Sequence, residues 1–345
     1  MMRVLRSRIL RGVYEARLPG ERALAAELGT STVTLRLALA QLEALALVRR
    51  EHRRGTFIVP PAERAGGGQS TSVRLILPLP FANRSDQFWV SVSAHGFHQA
   101  ADLHHVRVSL EYADEMDPVI AKAVSEASSP ICVGMCALAL PLERGHLVRL
   151  AGAATPVVVA EWYPEEVAVP SVNFDETATG NLAAEHLLRL GHRRIALLYH
   201  DRGTPNQRER LGAVEECLRR FGLSPSVKRQ IRDAGLGEEL RSVLADPANP
   251  TAAICSSVEI GEALLEMAGM MGRAVPQQLS IVSITGTKAD ANEIVTAVVR
   301  DHALLGRRAF EVLLDEELMA EPRRILIPVE LSEMGTTAPP PPEET

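Results

Sequence analysis

The pattern of apolar and polar residues along the chain changes near residue 72. Beyond that point, short apolar runs rich in β-branched residues alternate with segments of helical periodicity. Strands are predicted at VRLILPL, HVRVSLEY, SPICVGMC, TPVVVAEW, RRIALLYH, TAAICSS and LSIVSITG. Helices are predicted at DPVIAKAVSEA, TATGNLAAEHLLRLG, QRERLGAVEECLRRFG and VEIGEALLEMAGMMG. This alternation indicates βαβ units, and therefore an α/β fold with parallel sheets.

The length of this body favours two lobes. About 270 residues is large for one sheet, because single hydrophobic cores stop growing near that size. Parallel sheets bind ligands beyond the carboxyl ends of their strands, and two-lobed proteins often bind them in the cleft between lobes. We therefore expect a small-molecule site of that kind in the body.

The segment GTSTVTLRLALAQLE near the amino terminus fits two interpretations. Its apolar and polar residues alternate, which is typical of a half-buried strand. However, Leu35, Leu39 and Leu42 recur at the spacing of one helix face, and residues of high helix propensity dominate after Leu35. We therefore predict a helix from about Thr32 to Leu47, and we interpret the alternation as incidental.

A shorter helix is predicted immediately before it, ending at Gly29. Helix, glycine turn and helix form a helix-turn-helix, whose second helix enters the DNA major groove with its first residues at the bases. The polar residues at that end of the second helix are Ser31, Thr32, Thr34 and Arg36. Hydroxyl and guanidinium groups can bind phosphates or base edges.

A basic β-hairpin is predicted after the second helix. VRREHRRGTFIV fits strand, tight turn and strand, with Arg53 and Arg54 at the tip and Gly55 permitting the turn. Such a wing would lie along a phosphate backbone or in an adjacent minor groove.

The distribution of charge supports this interpretation. Residues 1–65 contain twelve arginines and six glutamates and so carry a charge of +6. Because the net charge of the chain is −6, the remaining residues carry −12. A basic head on an acidic body favours a nucleic-acid-binding module. A helical bundle with a solvated basic surface is the alternative.

Proline and glycine indicate where the domains end. PPAERAGGGQSTS predicts a flexible linker, and APPPPEET predicts a disordered tail. The predicted domains are a head at 1–60, a linker at 61–72, a body at 73–338 and a tail at 339–345. Within the body, lobe 1 is expected at about 73–174 and 299–320, and lobe 2 at about 175–298 and 321–338.

The sequence shows no motif that is typical of a catalytic or metal-binding site. The four cysteines lack zinc-ligand spacing, which indicates buried free thiols rather than disulfides or a metal site. The paired histidines at 104–105 are placed in a polar linker, and His186 and His192 are expected to be structural. Phosphate loops, GxSxG and HExxH are missing, so we expect neither an enzyme nor a cofactor.

No apolar run approaches the roughly 18 residues that span a bilayer. The first residues, MMRVLRSRILRG, lack a continuous apolar core and a cleavage site. We therefore expect a cytoplasmic location.

The head contains four short motifs in succession, which are LPGER, LAAELGTS, TLRLAL with LEALALVRR, and RGTFIV. In this order and spacing they resemble the winged helix-turn-helix of GntR-type bacterial regulators. The resemblance implies DNA-contacting or wing positions at Arg22, Ser31, Thr34, Arg36 and Gly55. Two residues depart from the family pattern, Thr32 in place of an arginine and Arg53 in place of a wing glycine.

The body resembles the sugar-sensing domain of LacI/GalR-type repressors, which is similar to periplasmic binding proteins. The segments that carry the resemblance include PSVNFDETATGNLAAEHLLRLGHRRIALL and TAAICSSVEIGEALLEMAGMMGRAVPQQLSIVSI. The resemblance implies a two-lobed, periplasmic-binding-protein-like α/β domain behind a winged helix-turn-helix head.

The same resemblance implies effector contacts. Phe88 and Trp89 follow the first strand, where the family has aromatic residues that stack on a ligand, and a core role is the alternative. Glu161 takes the place of a ligand-binding aspartate, whose carboxylate can bind sugar hydroxyls. Phe174 lies at the next strand end. Arg210 matches a ligand-contacting arginine, with an exposed helix-start arginine as the alternative.

Two further effector positions depart from the family. Ser257 and Val258 stand where the family has an asparagine followed by an aspartate, and Thr285 stands where it has a sugar-binding aspartate. These losses weaken the case for a typical hexose effector.

Together these features predict a homodimeric transcription regulator, expected to be a repressor, that binds a palindromic operator under control of a small molecule. One rival is a regulator whose effector site has degenerated. Another is an enzyme or transport-type binding protein with an incidental basic segment.

Overall fold

The computed structural model describes most of the chain in two compact units. The described residues are 1–64, 71–78, 88–113, 117–118, 120–121, 132–140, 142–153, 155–161, 169–200, 204–232, 235–288 and 294–342. The first unit comprises Met1–Asn173 with Ala303–Ile325, and the second comprises Phe174–His302 with Leu326–Thr345. The predicted head and the first lobe of the body therefore share one unit.

The head has three helices followed by a hairpin. Its elements are α1 (Met2–Leu10), α2 (Glu21–Glu27), α3 (Thr32–Ala44), β1 (Val48–Glu51) and β2 (Gly55–Ile58). β1 and β2 pair antiparallel, with Val48 opposite Ile58, which confirms the predicted strand, turn and strand. Leucines from all three helices form the core of the head.

The helical interpretation of GTSTVTLRLALAQLE is confirmed, but the predicted end of the helix is wrong. Leu35, Leu39 and Leu42 are buried, as one helix face requires. α3 ends at Ala44 rather than Leu47. Ala46 has a left-handed backbone with φ 53°, and this reversal turns the chain into β1.

The predicted linker at 61–72 is partly wrong. Pro61–Arg64 form a short helix, α4, and the Arg64 guanidinium donates a hydrogen bond to the carbonyl of Val59 at 2.8 Å. Proline suits a first helical turn because the position needs no amide donor. Ser72 begins the first strand of the body, opposite Arg107. Residues 65–70 lie outside the described part of the chain.

The body portion of the first unit is built on a parallel sheet. Its strands are β3 (Ser72–Pro78), β4 (Arg107–Ala113), β5 (Cys132–Leu138), β6 (Val157–Ala160), β7 (Ser171–Phe174) and β13 (Arg324–Ile327), in the order β13-β7-β6-β5-β3-β4. The helices of this unit are α5 (Phe88–Leu103), α6 (Arg144–Ala151), α11 (His302–Leu313) and α12 (Glu316–Ala320). Every residue of β5 is buried, as expected for a central parallel strand.

Helices α5 and α11 approach each other backbone to backbone. A Cβ placed on Gly96 would overlap the carbonyl of Ala303, and one placed on Gly306 would overlap the carbonyl of Ser93. Phe97 and Phe310 pack edge to face beside this contact, with ring centroids 5.5 Å apart. The two glycines thus set the distance between the helices.

The second unit has its own sheet, with helices on both faces. The strands are β8 (Ile195–Tyr199), β9 (Val227–Gln230), β10 (Ala252–Cys255), β11 (Ser280–Thr287), β12 (Thr296–Arg300) and β14 (Val329–Ser332), in the order β14-β12-β11-β10-β8-β9. The described pairings are parallel except that β14 runs antiparallel to β12. The helices are α7 (Glu176–Arg189), α8 (Pro205–Arg220), α9 (Leu236–Leu244) and α10 (Val258–Met270).

Alternate residues of these strands enter two separate cores. Leu198 and Cys255 belong to the cluster that includes Leu240 and Leu264 of α9 and α10. Leu197 and Ile254 belong to the cluster formed with α7 and α8. The seven strands predicted from the apolar runs are confirmed, and β7 ends at Phe174, where the resemblance placed a strand end. β9, β12, β13 and β14 were not predicted as strands. Of the helix predicted at DPVIAKAVSEA, only residues 117–118 and 120–121 are described, and they are helical.

The carboxyl-terminal segment packs on the second unit through Thr336 and Ala338, and Pro340 lies next to Gly191. The Thr336 hydroxyl donates to the carbonyl of Ile281 at 2.8 Å, and the amide of Ala338 donates to the Ser280 hydroxyl at 3.0 Å. Residues 339–342 have no secondary structure, and 343–345 lie outside the described residues. The described helices include none long and apolar enough to cross a membrane.

The cysteines and histidines have structural surroundings. All four cysteines are buried free thiols, as predicted. Residues 104–105 form the turn between α5 and β4, in line with the predicted linker, and His104 Nδ1 lies 2.7 Å from the carbonyl of Leu10. His192 is buried, with ring nitrogens bonded to Thr251 and Ser280. The described residues contain no cluster of three metal-ligating side chains.

Candidate functional site

The amino-terminal end of α3 is exposed and capped by its own side chains. The Ser31 hydroxyl accepts a hydrogen bond from the amide of Thr34 at 3.1 Å, and it lies 2.9 Å from the Thr34 hydroxyl. This cap fixes the first turn of the helix, which begins at Thr32. The three hydroxyl residues predicted to contact DNA therefore lie together at one helix end.

Arg36 lies one turn further along α3 and contacts the preceding helix. Its Nε donates to the Glu21 carboxylate at 2.7 Å, while 61 % of its side chain stays exposed. Arg22, the residue of α2 that follows Glu21, is also exposed. An exposed ion pair of this kind contributes little to stability, so Arg36 can exchange Glu21 for a stronger anionic ligand.

The hairpin carries further arginines beside the helix. Arg53 has a left-handed backbone with φ 62°, and Gly55 has φ 115°, where a Cβ would lie 2.8 Å from the Arg17 guanidinium. The guanidinium groups of Arg17 and Arg54 lie 5.6 and 5.7 Å from the centroid of the Phe57 ring. Arg17 was not singled out from the sequence, because its contacts with the hairpin have no local signature.

The hairpin is also tied to α3. The Glu43 carboxylate accepts hydrogen bonds from the amide and the Nε of Arg50, at 3.0 and 2.9 Å. The amide of Val59 donates to the carbonyl of Leu47 at 3.0 Å. These contacts join the helix to the hairpin, and Arg36, Arg53 and Arg54 are each exposed.

Helix α1 joins the head to the rest of the first unit through buried polar contacts. Arg6 is 3 % exposed, and its Nη2 donates to the carbonyl of Cys132 at 2.9 Å. Burial lowers the pKa of the Arg6 guanidinium to about 10. The hydroxyl of Ser7 donates to the carbonyl of Leu314, which also accepts from Arg11 at 3.4 Å.

Arg8 extends this contact to a second helix of the head. Its Nη1 donates to Glu27 in α2 at 2.9 Å, and its Nε donates to Glu316 in α12 at 3.2 Å. Hydrogen bonding to Tyr14 and then to Glu316 raises the pKa of Arg8 above its usual range. We call the set Arg6, Ser7, Arg8 and Arg11 the α1 anchor. The sequence did not indicate it.

The predicted effector residues are divided between the two units. In the first unit, Phe88 begins α5 with 53 % of its surface exposed, and Trp89 follows it. Glu161 directly follows β6, is 8 % exposed and has φ 60°, while its amide donates to the carbonyl of Val172 at 3.1 Å.

In the second unit, Phe174 is completely buried. Its ring packs edge to face on His302, with centroids 4.9 Å apart, and the Arg300 guanidinium lies 5.1 Å from its centroid. This packing explains the burial of Phe174 without a ligand. Its role as an effector contact stays a prediction.

Arg210 forms a buried ion pair that the sequence did not indicate. It is 8 % exposed, and its Nε and Nη2 donate to both oxygens of Glu176 at 2.6 and 3.1 Å. Glu176 is fully buried at the start of α7, and the Arg300 guanidinium lies 3.9 Å from it. The predicted ligand-binding arginine is therefore bound to a neighbouring carboxylate.

Ser257 and Thr285 also have local hydrogen bonds. The Ser257 hydroxyl caps α10 by accepting from the amide of Ile260 at 3.4 Å. The Thr285 hydroxyl donates to the carbonyl of Ser256 at 3.0 Å and so ties the end of β11 to β10. Both hydroxyl groups bond to nearby backbone groups. The contacts of these residues with an effector stay predictions.

Comparison with known families separates the chain into two matching segments. Residues 2–58 match the sequence model of bacterial regulatory proteins of the gntR family. Residues 184–337 match that of the periplasmic binding protein-like domain. The chain thus has two segments that are similar to different families.

Curated relatives align over about half of the chain. The regulator MalR of Streptomyces coelicolor is 29 % identical over 177 residues, which cover 49 % of this chain and 51 % of that protein. The repressor CytR of Escherichia coli is 27 % identical over 168 residues, 47 % of this chain and 49 % of that protein. The arabinose metabolism repressor of Geobacillus stearothermophilus is 29 % identical, with 49 % of each covered. The chain thus spans about half the length of the curated relatives it matches, and these relatives are named as transcription regulators.

Solved structures share the fold over most of the chain. A lac repressor dimer bound to operator and an anti-inducer matches with a TM-score of 0.66 at 20 % identity, covering 80 % of this chain and 97 % of that one. The regulator CcpA of Lactococcus lactis matches with a TM-score of 0.61 at 20 % identity, covering 78 % and 100 %. The predicted α/β fold, with helix-turn-helix and two-lobed periplasmic-binding-protein-like parts, is confirmed.

Proposed function

We propose that the protein is a transcription regulator, acting as a repressor, that binds operator DNA through α3 and the β1–β2 hairpin. The observation that carries the proposal is that Thr34, Arg36 and the hairpin arginines are all exposed in a head whose helix and hairpin are joined through Glu43 and Arg50. It supports a helix in the major groove, with Arg53 and Arg54 on the phosphates of the flanking backbone.

The proposed form is a homodimer on a two-fold symmetric operator. One helix and one hairpin contact few bases, so a second head is needed for specificity. The lac repressor that shares the fold is a dimer on its operator, which supports the same arrangement here.

The proposed control is a small polar molecule, a sugar or a derivative, bound by residues at the carboxyl ends of the body strands. Glu161 offers a carboxylate there for hydroxyl groups. A LacI-family regulator of Enterococcus faecium that shares the fold, with a TM-score of 0.62, holds ribose. An effector would change operator affinity through a coupling of about 1–3 kcal/mol. The α1 anchor is a direct connection between the head and the body portion of the first unit.

The test starts from the full-length protein and a pool of random duplexes. We expect selection to enrich an inverted repeat, and fluorescence anisotropy to show an affinity that falls steeply with salt, because phosphate contacts release counterions. Arg36→Ala should weaken binding to the selected site about tenfold or more. Arg219→Ala changes an arginine that is similarly exposed but lies on α8, and it should leave binding unchanged. Failure to enrich any sequence would exclude the proposed function.

A regulator that no longer senses a small molecule is the second candidate. It is supported by the hydrogen bonds that Arg210, Ser257 and Thr285 already make to other groups of the protein. Calorimetry against sugars, sugar phosphates and nucleosides separates the two. A compound that binds and shifts operator affinity supports effector control, whereas a complete absence of binding across these classes supports the second candidate.

A further inference from the structure

Two large aliphatic side chains are exposed on α3. Val33 and Leu37 each have 65 % of their surface exposed, and they lie one helical turn apart on the same face. The packing of α3 does not use them, because Leu35, Leu39 and Leu42 fill the core of the head. Their apolar surface is therefore available to a partner.

The surroundings of this pair identify the partner. Thr34 and Arg36 are exposed on the same helix, and Arg22 is exposed on α2. The segment that contains them carries a charge of +6, which complements a polyanion. An apolar pair on a basic surface fits a ligand that combines phosphates with small apolar groups. In the DNA major groove, the 5-methyl group of thymine is such a group.

We propose that Val33 and Leu37 recognise thymine in the operator by packing against its 5-methyl group. The inference rests on the proposed function and specifies which base feature the helix selects. Cβ atoms one turn apart on a helix lie about 5–6 Å from each other. Bases along one strand are separated by about 3.4 Å, so the two side chains reach neighbouring or next-neighbouring base pairs. Each half-site therefore contains thymines opposite the first two turns of α3.

Deoxyuridine isolates the methyl group. It differs from thymidine only by the missing methyl and keeps every hydrogen-bonding group. The operator selected with the full-length protein is synthesised with each thymine of the half-site replaced singly, and Kd is measured by fluorescence anisotropy. We expect one or two positions at which the replacement weakens binding about fourfold, as burial of one methyl at about 0.8 kcal/mol implies.

Variants then assign the methyl to a side chain. Leu37→Ala should weaken binding to the thymine operator and abolish the effect of deoxyuridine at one position, and Val33→Ala should do so at another. Arg36→Ala is the matched control, since it should weaken binding while keeping both deoxyuridine effects. Leu37→Gln keeps a helix-favouring residue and should behave as Leu37→Ala does. Unchanged melting temperatures show that each variant is folded.

Three outcomes overturn the inference. Equal affinity for thymine and deoxyuridine operators excludes methyl recognition but leaves operator binding intact. A Leu37→Ala variant that retains the full deoxyuridine effects excludes Leu37 as the contact. A change in the oligomeric mass of Leu37→Ala shows that this face is a protein interface instead. The proposed function itself fails only if the wild-type protein selects no duplex.

Discussion

Single side chains at the start of α3 serve both the fold and the proposed DNA contact. Ser31 is the clearest case, because its hydroxyl caps the helix and is also exposed where phosphates would lie. The two roles require different chemistry. A cap needs any short acceptor, whereas a phosphate contact excludes a negative one.

We expect Ser31→Ala to lower the free energy of unfolding by about 1 kcal/mol, because the amide of Thr34 loses its acceptor. Ser31→Asp should keep that stability, since aspartate caps helices as well as serine does. It should nevertheless weaken operator binding, because it places a carboxylate against the phosphates. Thermal unfolding and anisotropy on the full chain measure the two effects. Equal operator affinity of the aspartate variant and the wild type would contradict the placement of Ser31 at the DNA.

Buried histidines give the stability a pH dependence. Burial lowers the pKa of His192 and of His186 below the usual value of 6.5. The unfolded chain therefore binds more protons than the folded one below pH 6.5. The contribution of the two neutral histidines to the free energy of unfolding is fully present above that pH. It is lost as the pH falls through their lowered folded-state pKa values.

Urea unfolding between about pH 8 and 5 should show this loss, since carboxylates titrate mainly below that range. His192→Gln removes one titrating group, so we expect a smaller loss between pH 6.5 and 5. His95→Gln changes an exposed histidine on α5 and should leave the slope unchanged. A slope that His192→Gln leaves unaltered would show that His192 is not its source.

At the scale of elements, the close approach of two helix backbones depends on which residue lies at their contact. Gly306 on α11 and Gly212 on α8 are both mid-helix glycines, but only Gly306 faces a neighbouring backbone. The same substitution should therefore have opposite effects at the two positions.

We expect Gly306→Ala to destabilise the protein by several kcal/mol, because its methyl overlaps the carbonyl of Ser93 and forces α5 and α11 apart. Gly212→Ala meets no atom within 4 Å and should stabilise α8 by about 0.5–1 kcal/mol. Both are measured by thermal unfolding of the full chain. Similar melting temperatures for the two variants would show that α5 and α11 are not held at the distance described.

The same scale shows what local sequence could predict. Leucine spacing and high helix propensity were sufficient to predict α3, and β-branched runs were sufficient to predict the central strands. The end of α3 was misplaced, because Ala46 adopts its left-handed backbone without a glycine to mark it. Contacts between distant residues had no local signal. The pair of Glu176 and Arg210 is one, and it changes how Arg210 is interpreted.

At the scale of the molecule, the α1 anchor changes the expected connection between head and body. The glycine-rich segment after residue 64 suggested a slack tether. The head is instead held by Arg6 and Ser7, which reach residues 126 and 307 positions away in the chain.

We expect Arg6→Met to loosen this connection, because the buried stem still packs while the hydrogen bond to Cys132 is lost. Amide hydrogen exchange in α1 should become faster, and the melting temperature should fall. Arg11→Met removes an exposed arginine of the same segment with a long 3.4 Å bond, and it should have a smaller effect. Protection of α1 that is unchanged in Arg6→Met would mean that the anchor does not hold the head.

The acceptors of the anchor have a consequence for recombination between regulators. Arg6, Ser7 and Arg11 all donate to main-chain carbonyls of the body, those of Cys132 and Leu314. Every sequence that follows the same backbone path presents these carbonyls, whatever its side chains. We therefore expect a head that carries the matching donors to keep these three hydrogen bonds when gene fusion joins it to a new body of the same backbone path. Other contacts depend on particular side chains of the body, such as that of Arg8 with the carboxylate of Glu316 and that of the Leu10 carbonyl with the His104 ring.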